Sequence, residues 1–124
     1  MEIIKNILAV GAGSFIGGAA RYLVSLAMKG IGKGFPWATL TVNLVGCLMI
    51  GLLWGLLSRN AAENTSWGLF LTVGLCGGFT TFSTFSKEAL AMLQTGQMWG
   101  FASYIAISVL AGIALVALGY YIGR

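Results

Sequence analysis

Histidine is absent from this chain of 124 residues, and only Glu2, Glu63 and Glu88 are acidic. The two cysteines, Cys47 and Cys76, lie in separate apolar segments rather than in a cluster. Zinc and other transition-metal sites therefore lack donors, and the thiols read as small buried hydrophobes. Charge of either sign is scarce: 8% of residues are charged and 58% hydrophobic, where a soluble domain carries about a quarter charged. The formal net charge of +4 comes from seven basic residues scattered along the chain. Without a basic patch, nucleic acid is not a partner. No nucleophile–base constellation and no nucleotide-binding motif are visible, which argues against an enzyme or an ATP-driven pump.

What the chain does have is long apolar runs, with a mean hydropathy of +0.91. It reads as an all-α integral membrane protein. Four spans, each near the roughly 20 residues needed to cross hydrocarbon, fall at about 6–28, 36–57, 67–93 and 99–122. Connections between them are short, and Trp37, Trp67, Trp99, Tyr120 and Tyr121 sit near span ends as interfacial aromatics do. The opening MEIIKNILAV resembles a signal peptide superficially. No Ala-x-Ala-like cleavage site precedes Arg21, so the segment is expected to be retained. Residues 1–124 form one domain without linkers, low-complexity tails or an evident internal repeat.

Polar groups inside these spans are few. In the first, Gly13 and Gly17 form the small-xxx-small pattern of close helix packing, and Arg21 lies well before the span's end. Arg21 either snorkels to the interface or provides a fixed positive charge drawing anions into an aqueous vestibule. In the second span Asn43 serves either as interhelical glue or as a pore group, and it shares a helix face with Thr39. Tyr104, Ser108 and Gly112 make a similar stripe on the fourth.

The third span carries the most unusual stretch, GLCGGFTTFSTFSKE from Gly74 to Glu88. A glycine pair, Gly77-Gly78, precedes five hydroxyl residues, with Phe79, Phe82 and Phe85 spaced between them. Weakened helix is tolerated in a bilayer only where protein or water satisfies the freed backbone groups. The stretch therefore predicts a broken helix lining a polar path or an ion site. Lys87 and Glu88, at its far end, are placed near the membrane boundary, pairing with each other, water or a neighbour.

Basic residues do not fix the orientation. Lys5, Arg59 and Arg124 lie on one side, Lys29 and Lys33 on the other, with Arg21 and Lys87 near that second side. So little bias is compatible with insertion both ways and with antiparallel dimers. A second subunit would also shield a broken helix from lipid, and two-fold homodimers are the commonest oligomers.

Across essentially its whole length the chain resembles the Fluc/CrcB family of small fluoride channels. GGAARY at Gly17–Tyr22, TLTVNLVGC around Asn43 and GFTTFSTFSKE at Gly78–Glu88 carry the resemblance. It implies a dual-topology antiparallel homodimer in a bacterial cell membrane, with two separate pores that let fluoride leave the cytoplasm and so limit its toxicity. It further implies that Asn43 lines the pore, that Phe82 and Phe85 make paired aromatic contacts to fluoride, and that Tyr104 and Ser108 contribute from the fourth span. Thr81 and Ser83 join them as hydroxyl donors, and Arg21 as the vestibule charge. A structural sodium ion is implied at the dimer centre, held by main-chain carbonyls of Gly77 and Thr80. Fluoride is a small, strongly hydrated acceptor, so donors must replace its water, and an aromatic ring offers a positive edge. Two rivals stand beside this reading. A proton-coupled exporter needs an ionisable group in mid-membrane, and no acid falls in the middle of the first, second or fourth span. A non-transporting assembly subunit would leave the hydroxyl-rich break without a purpose.

Overall fold

The computed structural model describes residues 1–32 and 34–124; Lys33, counted above in the charge balance, lies outside the described residues. Among the described residues all regular structure is helical. In lipid the backbone must satisfy its own hydrogen bonds, and a helix does so within one segment. Four helical stretches are long and apolar enough to cross a membrane. They are α1 (Glu2–Ala27), α2 (Trp37–Arg59), a composite third span Ser66–Gln94, and α6 (Met98–Gly123). The first begins four residues earlier than expected, at Glu2 rather than Asn6.

The third span is assembled from pieces. It opens with α3 (Ser66–Leu69), capped by the Thr65 side chain, which accepts from the Gly68 N–H. A π-helical stretch, Phe70–Cys76, and α4 (Gly77–Phe79) follow. Helix then stops. Thr80 has ψ 165° and Thr81 has φ −153°, both extended, and α5 (Phe82–Gln94) begins directly afterwards. The hydroxyls explain the position. Thr80 Oγ1 donates back to the Cys76 carbonyl at 3.0 Å, and Thr81 Oγ1 accepts from the Thr84 N–H at 3.1 Å as the cap of α5. Side chains of this kind compete with the helical ladder and favour caps.

The interruption falls inside the Gly74–Glu88 stretch expected to hold it. Gly77 and Gly78 are helical, and the break lies at the threonines that follow. The pair has separate uses. A Cβ on Gly78 would stand 2.7 Å from the Ser14 carbonyl oxygen, so this glycine lets the third span press against α1, while Gly77 is exposed. Gly13 and Gly17, the buried residues of α1, meet the backbone of the same span from the other side.

The break also changes the span's partner. Before it, the chain packs on α1; after it, α5 packs on α6, which otherwise pairs with α2. The small core of this second group holds Leu40, Ala89, Met92 and Tyr104. Elsewhere the helices keep large apolar side chains outward, Phe15, Leu110 and Ile113 among them, as suits a surface that meets lipid or another chain.

Candidate functional site

Breaking a helix frees carbonyls on one side and N–H groups on the other. In a continuous helix Gly77 O would accept from the Thr81 N–H. That N–H instead donates to Asn43 Oδ1 at 2.8 Å, while Asn43 Nδ2 donates to the Thr81 carbonyl at 3.0 Å. The amide of α2 thus clasps one residue's backbone with both its ends. Of the two roles left open for Asn43, the structure displays the interhelical one, and the remaining amide hydrogen leaves it a donor to spare. Gly78 O, which would accept from Phe82, accepts from Arg21 Nε at 3.2 Å. Arg21 is therefore half-buried and tied to the break rather than extended toward an interface.

Three carbonyls, those of Gly77, Phe79 and Thr80, lose their helical donors with no such substitute among the described residues. Gly77 O loses Thr81 N–H to Asn43, and Thr80 O loses Thr84 N–H to the Thr81 hydroxyl. Neutral carbonyl oxygens are ligands for a hard cation. Clusters of three or more His, Cys, Asp or Glu side chains are absent among the described residues, so a cation held here would rest on main-chain oxygen.

Two cavities flank the break and share Thr81. One, of about 350 Å³, is lined by Asn43, Cys47, Thr72, Gly77, Thr80, Thr81 and Phe82. The other, of about 390 Å³, has Arg21 and Glu88 in its walls together with Ser25, Thr39, Thr81 and Thr84. A positive guanidinium, a carboxylate and the hydroxyl-bearing residues Tyr22, Ser25, Thr39, Thr81 and Thr84 thus line one space in an otherwise apolar bundle.

The remaining candidates are distributed unevenly. Phe82 is 79% exposed at the break, its ring centroid 5.8 Å from that of Phe85. Phe85 turns inward against Tyr104, 4.9 Å between centroids. Tyr104 is fully buried and its hydroxyl donates to Glu88 Oε1 at 3.1 Å. Ser83 is exposed, its hydroxyl 3.5 Å from that of Thr81. Ser108 is not brought to the break. It lines a separate, mostly apolar cavity of about 430 Å³ with Cys47 and Gly112, and its buried hydroxyl has no partner among the described residues. Glu88, whose role the sequence left open, faces the Arg21 cavity, because α5 turns this side of the helix onto α6. Its spacing behind the hydroxyl run carried no signal of that, since the face depended on where the helix restarted.

The family described as "CrcB-like protein, Camphor Resistance (CrcB)" matches residues 8–120 of the chain. A protein of Desulfotalea psychrophila named "Fluoride-specific ion channel FluC" is 42% identical over 124 residues, covering 100% of this chain and 96% of its own length. A protein of the same name from Phocaeicola vulgatus is 43% identical, covering 98% of this chain and 100% of its own. Another from Agrobacterium fabrum is 43% identical, with 96% of each covered.

Proposed function

Because the chain belongs to the CrcB family, one of ion channels rather than enzymes, we propose that this multi-pass membrane protein is a passive, fluoride-selective channel. Full-length likeness to relatives named for that activity carries the reading. The geometry supplies a route: the Arg21 cavity, the threonines of the break, and the cavity beside Asn43 and Phe82.

Arg21, anchored on Gly78 O, sets a positive potential in the first cavity and concentrates an anion there. Hydroxyls of Thr81 and Thr84 and the spare amide hydrogen of Asn43 then replace water around fluoride. Phe82 and Phe85 offer ring edges, which suit a small anion and give a cation no ligand. Outward driving force comes from a membrane potential negative inside, about 2.3 kcal/mol per charge per 100 mV.

The working unit is an antiparallel homodimer with two pores. Supporting this are the even charge distribution and the exposed Phe82, whose ring beside a polar break calls for cover other than lipid. A second chain would also bring partners to the unpaired Ser108 hydroxyl. The freed carbonyls of Gly77 and Thr80 fit a structural sodium ion, which would supply charge to hold two such breaks together. These residues' part is to present bare oxygens, Asn43 and Thr81 having taken the competing donors.

One observation favours a second reading. Glu88 faces the same cavity as Arg21, and a carboxylate so placed is what a proton-coupled exporter requires. A single experiment separates the two. Purified protein in liposomes is tested for efflux of fluoride and chloride, with sodium present, at equal and unequal pH across the membrane. Fast fluoride efflux with negligible chloride efflux, following voltage and indifferent to a pH gradient, is expected. Fluoride accumulation driven by the pH gradient at zero voltage would make it a carrier. No flux of either anion from folded protein would leave an assembly subunit.

A further inference from the structure

The connection before α2 ends in Phe35, Pro36 and Trp37, and its backbone is shaped to hold rings. Gly32 sits at φ +61°, and a Cβ there would collide with the Trp37 indole. Phe35 N–H donates to the Gly32 carbonyl at 3.1 Å, closing a turn, and Pro36 then restricts the chain. The Phe35 ring is thereby fixed between two others. Trp37 lies on one side, 4.6 Å between centroids, and Tyr104 on the other, 5.5 Å away at 74°. Tyr104 has Phe85 as its second ring neighbour, so its phenol is held from both sides.

The phenol donates to Glu88, with the Thr39 hydroxyl also beside it. That carboxylate borders two spaces: the Arg21 cavity, and a second of about 300 Å³ lined by Phe35, Pro36, Met92, Thr95 and Gln97. Its direction therefore matters, and the Tyr104 hydroxyl is what constrains it. We propose that Phe35 is a positioning residue for conduction: by gripping the Tyr104 ring edge-on it keeps the hydroxyl on Glu88 and fixes how that carboxylate faces the Arg21 cavity. This rests on the channel reading above.

The test is Phe35→Leu, alone and combined with Tyr104→Phe. Losing one aromatic contact should slow fluoride efflux about fivefold. Phe35→Trp, which keeps a ring, should restore most of it. If Phe35 acts through the Tyr104 hydroxyl, Phe35→Leu has no further effect once Tyr104→Phe has removed that hydroxyl. A merely structural role would instead multiply the two losses and overturn the proposal, as would wild-type efflux in Phe35→Leu. A second readout does not depend on transport. With 3-fluorotyrosine in place of the four tyrosines, the resonance that disappears in Tyr104→Phe should shift and broaden in Phe35→Leu. An unmoved resonance overturns the proposal. A moved one in protein that conducts no fluoride supports the ring contact while the channel reading fails. Should Phe35→Leu not fold, Phe35→Met takes its place with the same outcomes.

Discussion

The α2–α6 seam and the surroundings of Thr80–Thr81 both bring backbones close, but by different means. Along the seam Gly51, Gly55, Gly119 and Gly123 put main chain against main chain. A Cβ on Gly55 would lie 2.6 Å from Tyr120 O, and one on Gly119 would lie 2.7 Å from Leu52 N. Each helix there satisfies its own hydrogen bonds, so the contact is dispersion alone. At the break the backbone is short of partners, and side chains from α1 and α2 supply them. Where these glycines meet backbone the seam has no space to give, while nearer Ser108 the two helices line an apolar cavity of about 430 Å³. The break has space, two cavities of it, and depends on named donors and acceptors. One region should therefore fail when atoms are added and the other when they are removed.

The largest effect is expected at the seam. Gly119→Val places a branched side chain against the backbone of Leu48 and Leu52, and α2 and α6 must separate to hold it. Overpacking of this kind costs about 1–3 kcal/mol where neighbours can adjust; backbone adjusts less. Little or no monodisperse protein should be recovered in detergent. Gly11→Ala is the control, since nothing lies within 4 Å of the added carbon. A normal yield and melting midpoint for Gly119→Val would show the seam to be looser than the distances imply.

Next comes the break. Asn43→Ala strips the Thr81 backbone of both its partners on α2, at about 1–3 kcal/mol for each group left without one. Fluoride efflux should fall at least tenfold and the melting midpoint should drop. Asn43→Asp keeps an acceptor for the Thr81 N–H but loses the donor and adds a negative charge. It should recover part of the stability and none of the flux. Equal recovery of both would mean that Asn43 acts only as a clasp.

How legible these two regions were follows from what each depends on. Four spans, the packing glycines of α1 and the presence of an interruption could be read from hydropathy and residue type, because lipid permits few alternatives. The hydroxyl-rich stretch that holds the break could be read as well, but which of its residues leave the helix could not. Glycine is the usual sign of a weak helix, but Gly77 and Gly78 sit where α1 presses and open space allows, and hydrogen-bond competition by Thr80 and Thr81 decides the matter. Asn43, Arg21 and the hydroxyls stood out as polar groups in apolar spans, yet the residues they would meet, Thr81 and Gly78, are 38 and 57 positions away. Phe35 was hidden in a loop. Its one signal was an aromatic ring between a glycine run and the single proline.

A smaller effect is expected from Arg21→Gln. The guanidinium is tied to Gly78 O by one bond, and glutamine can donate in its place without the charge. Efflux should fall several-fold at low ionic strength, and the deficit should shrink as salt screens the cavity, the Debye length being about 10 Å at 0.1 M. Arg21→Lys should conduct better than Arg21→Gln. A deficit independent of salt would assign Arg21 to holding the break rather than to attracting anions.

The smallest effect, and the one that separates the regions most finely, is Ser108→Ala. Ser108 stands on α6 one turn beyond Tyr104, and its hydroxyl is buried without a partner among the described residues. An unpaired buried hydroxyl destabilises, so its removal should raise the melting midpoint slightly, by the equivalent of about 1 kcal/mol. Asn43→Ala, which creates unpaired groups, must do the opposite. Fluoride efflux in Ser108→Ala should fall less than tenfold, the loss of one donor among several. A lowered midpoint would reverse the inference: the hydroxyl would then already have a partner in the membrane, a second chain or a water, and this side of α6 would belong with the break rather than with the dry seam.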